Sequence, residues 1–345
     1  MSDQPDQSGT PGLDLDRLGP WFAEHVPGAG DNLTARHISG GKSNLTYAVS
    51  DGTGEWIVRR PPLGHVLATA HDMSREYRVM SALQGTAVPV PTTYALSEDD
   101  DVLGAQFYVM ELVEGVPYRT AEELSALGPE RTRAISEGLV DTLAALHAVD
   151  PAGVGLGDFG RPEGFLGRQV ARWKKQIDAS HTRDLPLAEQ LHAALEADIP
   201  DEGAPGIVHG DFRLDNVLVD AQDRPAAVID WEMATLGDPL TDLALMVLYG
   251  RLAAALGSDA VADASSAPGF LSEQEIIERY AAGSDRDLSH FGFYLGLAAF
   301  KLAAILEGIH YRHQHGQTVG SGFDRIGEAI DPLLTAGLTA LEETH

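Results

Sequence analysis

The chain has 345 residues, 43% of them hydrophobic and 22% charged, which is ordinary for a globular protein and too long for one small core, so two lobes are expected. A net charge of −28, from 52 acidic against 24 basic residues, disfavours nucleic acid and anionic membranes as partners. There is no cysteine, hence no disulfide, no thiolate nucleophile and no Cys-type zinc site, and cytoplasmic residence fits.

The opening "MSDQPDQSGTPG" has neither a basic nor an apolar region and reads as a disordered tail over residues 1–15. No run of about 18 apolar residues predicts a membrane span. From Thr34 the pattern is strand-like: "TARHIS", the turn "GGKSN", "LTYAVS", the turn "DGTG", then "EWIVRR" ended by Pro61-Pro62. "AHDMSREYRVMSALQG" carries Met73, Tyr77, Met80 and Leu83 at helical spacing. Two more strands follow, near "PTTYALSE" and "AQFYVMELV", joined by the acidic turn "DDDVLG". These elements make a first lobe over residues 16–113.

Residues 114–345 read as a larger, mainly helical lobe. "PERTRAISEGLVDTLAALHAVD" places Pro129 at a helix N-terminus and keeps a 3.6-residue period. "GFLGRQVARWKKQIDAS" and "PLAEQLHAALEADIP" continue the series. Two short hairpins, "GIVHGDFRLDNVLVD" and "AAVIDWEMATLGD", interrupt it. Helices then resume at "DLALMVLYGRLAAAL", "SEQEIIERYAAG", "HFGFYLGLAAFKLAAILEGIHYRHQ" and "GFDRIGEAIDPLLTAGLTALEE", with Gly257 to Gly269 as a small, polar linker.

The hairpins carry the chemistry. Asp211 and Asn216 lie between two strand-like runs, and Asp230 ends the apolar run "AAVI". A carboxylate that accepts a hydroxyl proton, with oxygen ligands for Mg²⁺, is what metal-dependent phosphoryl transfer requires. Asp211 suits the base, and Asn216 and Asp230 suit the metal. Arg213 is a cation near the base, suited to charge on the transferring group. His209 reads as a loop brace. His310, His313 and His315 near a helix end lack a carboxylate partner and read as solvated or pocket-lining rather than as a zinc site.

"HGDFRLDN" followed by "IDWE" resembles the aminoglycoside phosphotransferase and choline kinase family of small-molecule kinases, relatives of protein kinases, from about Thr34 to beyond Tyr311. The resemblance implies an α+β, bilobal, protein-kinase-like fold: an antiparallel sheet with one helix, then a larger helical lobe. It implies ATP and Mg²⁺ as cofactors and a small-molecule hydroxyl as acceptor, in a monomer or homodimer. "SGGKSN" stands where a Gly-rich turn covers the phosphates, which makes Gly40, Gly41, Ser43 and Asn44 candidates; it is not a Walker A loop. Where most such kinases carry Lys on the third strand this chain has Arg59, and Glu76 on the next helix would orient it. Adenine would bond hinge backbone around Glu111 to Val113, with Met110 lining the pocket. Asp238 and Asp242 in "GDPLTDLA" read as structural, bonding catalytic-loop backbone.

"RRPP", "REYRVM" and "FKLAAILEGIHYRH" are closer to the kinase domain of acyl-CoA dehydrogenase 10/11-type proteins than to dedicated resistance enzymes. That resemblance implies a hydroxyacyl-CoA or another hydroxylated metabolite as acceptor. Arg168, Arg172, Lys174 and Lys175 on one helix would then form a basic patch. The acidic surface points instead to a cationic aminoglycoside, and the acceptor stays open. A non-catalytic nucleotide- or CoA-binding homologue is the further alternative, and a eukaryotic-type protein kinase is opposed by the lack of an Ala-Pro-Glu motif.

Overall fold

The computed structural model describes residues 10–38, 44–63, 72–180, 182–256, 263–317 and 326–343. The chain divides into two compact units, one of residues 1–114 with 227–232, the other of residues 115–226 with 233–345.

In the first unit, β1 (Thr34–His37), β2 (Leu45–Ser50), β3 (Glu55–Arg60), β4 (Thr93–Ser97) and β5 (Phe107–Glu111) form an antiparallel sheet in the order β1-β2-β3-β5-β4. The expected turn "DGTG" joins β2 to β3, and the Asp51 carboxylate accepts from the amides of Thr53 and Gly54 at 2.8 Å each. The expected helix is α2 (Met73–Leu83). The Asp72 side chain caps it by accepting from Ser74 and Arg75, and Met73, Glu76, Val79, Met80 and Leu83 turn inward. Tyr77 from the expected spacing is only partly buried.

Helix α1 (Leu15–His25) was not foreseen. Pro20 lies inside it and tail-like composition precedes it, which hides its period. Its Leu18 and Phe22 are fully buried in one core with Tyr47, Val49, Trp56, Val58, Phe107 and Val109 of the sheet. The Phe22 and Trp56 rings meet edge to face at 5.3 Å. Only residues 10–15 of the expected tail are described, and they are packed: Leu13 is buried, and the Pro11 carbonyl accepts from the Tyr47 hydroxyl.

The second unit begins with α3 (Ala121–Ser125), α4 (Pro129–Ala148), α5 (Phe165–Ser180) and α6 (Pro186–Ala197). Then come β6 (Gly206–Val208), β7 (Val217–Val219), β8 (Pro225–Val228), which runs across the boundary between the units, and β9 (Thr235–Gly237). Helices α7 (Leu240–Leu256), α8 (Glu273–Ala282), α9 (Phe291–Gln314) and α10 (Ile330–Glu342) complete it. The two expected hairpins do not form. β6 pairs antiparallel with β9, with Ile207 opposite Leu236, and β7 pairs with β8. The stretch between β6 and β7 is too long for a hairpin turn and folds as a loop ending in the 3-10 turn Leu214–Asn216. Part of the expected linker, residues 257–262, lies outside the described residues; Asp263 after it accepts from the Ala121 amide at 2.9 Å.

Helix α9 is the organising rod of this unit and packs against α5, α7 and α10. By length and composition it is apolar enough to cross a membrane, against the sequence expectation, yet 78% of its apolar window is buried inside the protein, as in a core helix.

The packing of α1 against the sheet predicts that Phe22→Ala lowers stability by about 3–5 kcal/mol. Urea unfolding followed by tryptophan fluorescence measures this. A loss below about 1 kcal/mol would show that α1 is dispensable to the first core.

Candidate active site

In the first unit, strand alternation and helix period bring Arg59 and Glu76 together. Arg59 on β3 lies opposite Tyr108 on β5, and both turn toward the first half of α2. Arg59 Nε is 3.0 Å from Glu76 Oε2, and another guanidinium nitrogen donates to Asp230 Oδ1. The Tyr108 hydroxyl donates to Glu76 Oε2 at 2.9 Å, and Asn44 Nδ2 donates to Glu76 Oε1 at 3.0 Å and to Glu232 at 3.3 Å. Glu76 is 1% exposed, so both its oxygens are satisfied inside the protein.

Burial acts on both partners. It raises the Glu76 carboxyl above its ordinary value, and Arg59 offsets part of this. It opposes the Arg59 charge, but Glu76 and Asp230 outweigh it and the guanidinium stays protonated with a raised pKa. Asp230 has a left-handed backbone, φ 67°, rare for a residue with a side chain and common at functional sites.

Further along β5, Met110 is buried, and Glu111 bonds Thr92 through both its amide and its carboxylate. Val113 makes no hydrogen bond among the described residues. Gly40, Gly41 and Ser43 of the expected phosphate turn lie outside the described residues.

In the second unit the loop after β6 is held by its backbone. Asp242 on α7 accepts from the amides of His209 at 2.6 Å and Gly210 at 2.8 Å, as expected of it. Asp238 does not share this task. It caps Leu240 at the start of α7 and accepts from the Tyr294 hydroxyl at 2.7 Å. Gly210 has φ 87°, and a Cβ there would come within 2.9 Å of the Met233 carbonyl oxygen, so only glycine fits. His209 is fully buried, and its Nδ1 lies 3.3 Å from the Asp211 amide, consistent with a brace.

The Asp211 carboxylate accepts from the Tyr249 hydroxyl at 3.1 Å and from Asn216 Nδ2 at 3.2 Å; Nδ2 also donates to the Asp211 carbonyl at 2.9 Å. Both bonds use the amide nitrogen, which leaves Asn216 Oδ1 uncommitted among the described residues. A hard oxygen of this kind suits Mg²⁺ rather than a soft metal. No group of three His, Cys, Asp or Glu able to hold an ion exists among the described residues, so any metal here needs ligands beyond such a cluster.

Arg213 does not stand unpaired. It is forked onto Asp215 through two nitrogens and stacks on Tyr249, with Cζ 4.9 Å from the ring centre. Of the expected basic patch on α5, Lys174 pairs with Asp178 and Glu189, and Arg168 donates to the carbonyls of Glu163 and Arg161. Arg172 instead lies over Trp173.

Tyr249 and Lys301 escaped the sequence reading. Tyr249 sits in a helical apolar run and gives no signal. Lys301 is the lone charge in "LAAFKLAAIL", a signal of a half-buried cation with a task. Its Nζ donates to the Gly210 carbonyl at 2.6 Å.

A cavity of ≈ 320 Å³ opens beside this loop, lined by Tyr118, Leu139, Leu214, Met246, Tyr249 and Phe270 among others. Its charged lining is closed into ion pairs, Arg213 with Asp215 and Arg251 with Glu273.

A profile of the phosphotransferase enzyme family matches residues 34–275. Acyl-CoA dehydrogenase family member 11 of Rattus norvegicus is 32% identical over 343 residues, covering 96% of this chain but 44% of that protein. The chain thus spans less than half the length of that relative. A solved Ralstonia eutropha structure assigned to the aminoglycoside phosphotransferases is 32% identical, with a TM-score of 0.84 over 96% of this chain and 99% of the other. A thermostable mutant of aminoglycoside phosphotransferase APH(4)-Ia, in complex with AMP-PNP and hygromycin B, shares the fold at 18% identity, with a TM-score of 0.60 over 88% of this chain and 94% of the other.

Asp242 generates a pH-dependent prediction. Burial would raise its pKa, but hydrogen bonds from His147 and from the loop amides outweigh burial and hold it below the ordinary 3.8. A depressed carboxyl contributes stability above its unfolded pKa and loses it as pH falls through the lower folded value. Asp242→Asn therefore lowers the urea midpoint at neutral pH, and its gap to wild type narrows below pH 3.8. A gap that is the same at both pH values contradicts this role.

Proposed function

Because the chain belongs to the phosphotransferase enzyme family, we propose that it moves the γ-phosphoryl group of ATP to a hydroxyl of a small molecule. The observation that carries the reading is the state of Asp211. Its carboxylate has no ion pair among the described residues, accepts only from Tyr249 and Asn216, and sits on a loop pinned by Asp242. A carboxylate without a direct ion pair, on a loop held by its backbone, is suited to take the proton of an acceptor hydroxyl.

The other residues take supporting roles. Asn216 and Asp230 would each offer an oxygen to Mg²⁺, whose charge would offset that of the phosphates. Arg59, oriented by Glu76, offers its remaining N–H groups to the α- and β-phosphates. Val113, with Glu111 and Met110 beside it, offers backbone groups to adenine. Gly40, Gly41, Ser43 and Asn44 are proposed to cover the phosphates, as the family resemblance implies. Arg213, tied to Asp215, stiffens the loop instead of reaching the phosphoryl group. The bound AMP-PNP of the APH(4)-Ia complex supports ATP as the donor, and residence in the cytoplasm, where ATP is plentiful, belongs to the same proposal.

The acceptor is best read as a hydroxyl on an apolar body, such as a hydroxyacyl thioester or another hydroxylated metabolite. The apolar cavity with closed ion pairs favours this, as does the similarity to acyl-CoA dehydrogenase family member 11. A polycationic aminoglycoside would find no uncompensated carboxylate in that cavity.

ATP consumption measured against hydroxyacyl-CoAs, aminoglycosides, choline-like alcohols and sugars tests the reading, with the hydroxyacyl group expected to respond. Asp211→Ala is expected to lower turnover by at least about 10²-fold while ATP still raises the melting temperature. Unchanged turnover would reject Asp211 as the base. Asp230→Ala is expected to abolish the ATP-induced rise in melting temperature, and a rise equal to that of wild type would remove it from the metal site.

A further inference from the structure

The catalytic turn is pinned on its amide side by Asp242, and its carbonyl side has its own anchor. The peptide that joins Gly210 to Asp211 carries the proposed base directly. Its carbonyl accepts from Lys301 Nζ at 2.6 Å, and its amide lies 3.3 Å from His209 Nδ1. The two peptides before it give their amides to Asp242. Three consecutive peptide groups are thus fixed, and among the described residues Lys301 is the one contact that reaches the last of them from a distant element, 91 residues along the chain.

Lys301 is an uncomfortable residue in its place. It belongs to the core helix α9, between Phe300 and Leu302, both buried. Its Nζ sits 5.8 Å from the centre of the Trp173 ring, and it lines a small cavity with Arg172, Trp173, Gly210 and Met233. No ion pair holds it among the described residues. Burial lowers its pKa, and the nearby charges of Asp211 and Asp242 offset this in part, while Arg172 adds to it. A methionine would fill the same space without the desolvation cost. The ammonium is therefore needed for what it touches, and it touches the Gly210 carbonyl and the Trp173 face.

We propose that Lys301 is a positioning residue for phosphoryl transfer: held against Trp173, its ammonium locks the Gly210–Asp211 peptide and so fixes the direction of the Asp211 carboxylate. This rests on the reading of Asp211 as the base. Lys301 acts on geometry through the backbone and takes no proton from the acceptor.

The test compares Lys301→Met, Lys301→Arg and wild type. Two readouts are used: ADP formed from Mg·ATP with water as acceptor, and hydrogen exchange of the peptide spanning 206–214. Lys301→Met is expected to keep or raise the melting temperature, to exchange faster across the loop, and to lower kcat by about 10²-fold with KM for ATP within twofold. Lys301→Arg is expected to restore much of kcat, because it can donate to the same carbonyl. A role in packing alone predicts the reverse: a lowered melting temperature, with loop exchange and kcat unchanged, and that result overturns the proposal. If wild type forms no ADP, water is not an acceptor, and the phosphotransfer reading is judged with the hydroxylated acceptors instead. Exchange then still decides on the clamp, which unchanged exchange in Lys301→Met overturns.

Discussion

The hydrogen bonds from two successive amides to the Asp242 carboxylate are the constraint on which the second unit's chemistry rests. They form because α7 starts at a fixed place: Asp238 caps its first turn and is held by Tyr294 from α9. That start delivers Asp242 beneath the β6 loop. Asp242 is 1% exposed, and an anion so buried persists only with enough donors. His147, itself bonded to Tyr280 at 2.7 Å, lies 3.5 Å from it and helps to meet that need. The loop, in turn, is forced through a left-handed glycine against Met233. Rigidity at Asp211 is thus assembled from α4, α7, α8 and α9 together, which is why what holds the loop cannot be read from its own short motif.

A different logic governs the first unit. Arg59, Glu76, Tyr108 and Asn44 form a buried polar cluster in which every Glu76 oxygen has a partner. Buried ion pairs add little net stability, yet deletion of one partner leaves a costly unpaired charge. Such a cluster specifies geometry more than it stabilises. Substituting Arg for the more usual Lys adds a planar fork, which can hold Glu76 and Asp230 at once and still keep donors in reserve.

Local patterns carried far. Alternation along "EWIVRR" put Arg59 on the correct face, and the family resemblance pointed to Glu76 in "SREYRVM" of α2, where the two meet. The sheet of the first unit and most helices followed from turns and periodicity. What escaped was non-local. The partner of β6 is β9 because side chains far along the chain close the pair, and the adjacent loop is busy with its own bonds. Tyr249 belongs to a helix whose apolar period conceals it, and Lys301, though visible as a lone charge, has a partner that only the fold brings to it. Arg213 looked like a free cation because nothing in the motif signals that Asp215, two residues away, pairs with it. Helix α1 was hidden by Pro20 and by the polar residues before it.

The central claim is that the γ-phosphoryl group of ATP leaves this protein as an ester on a small molecule. Incubation with Mg²⁺, ATP carrying ¹⁸O in its γ-phosphate, and a mixture of hydroxylated metabolites including hydroxyacyl-CoAs tests it most directly, with mass spectrometry as the readout. The account predicts a small-molecule phosphate monoester that carries the label. Labelled ATP that binds and is recovered intact, with no labelled ester formed, would contradict it.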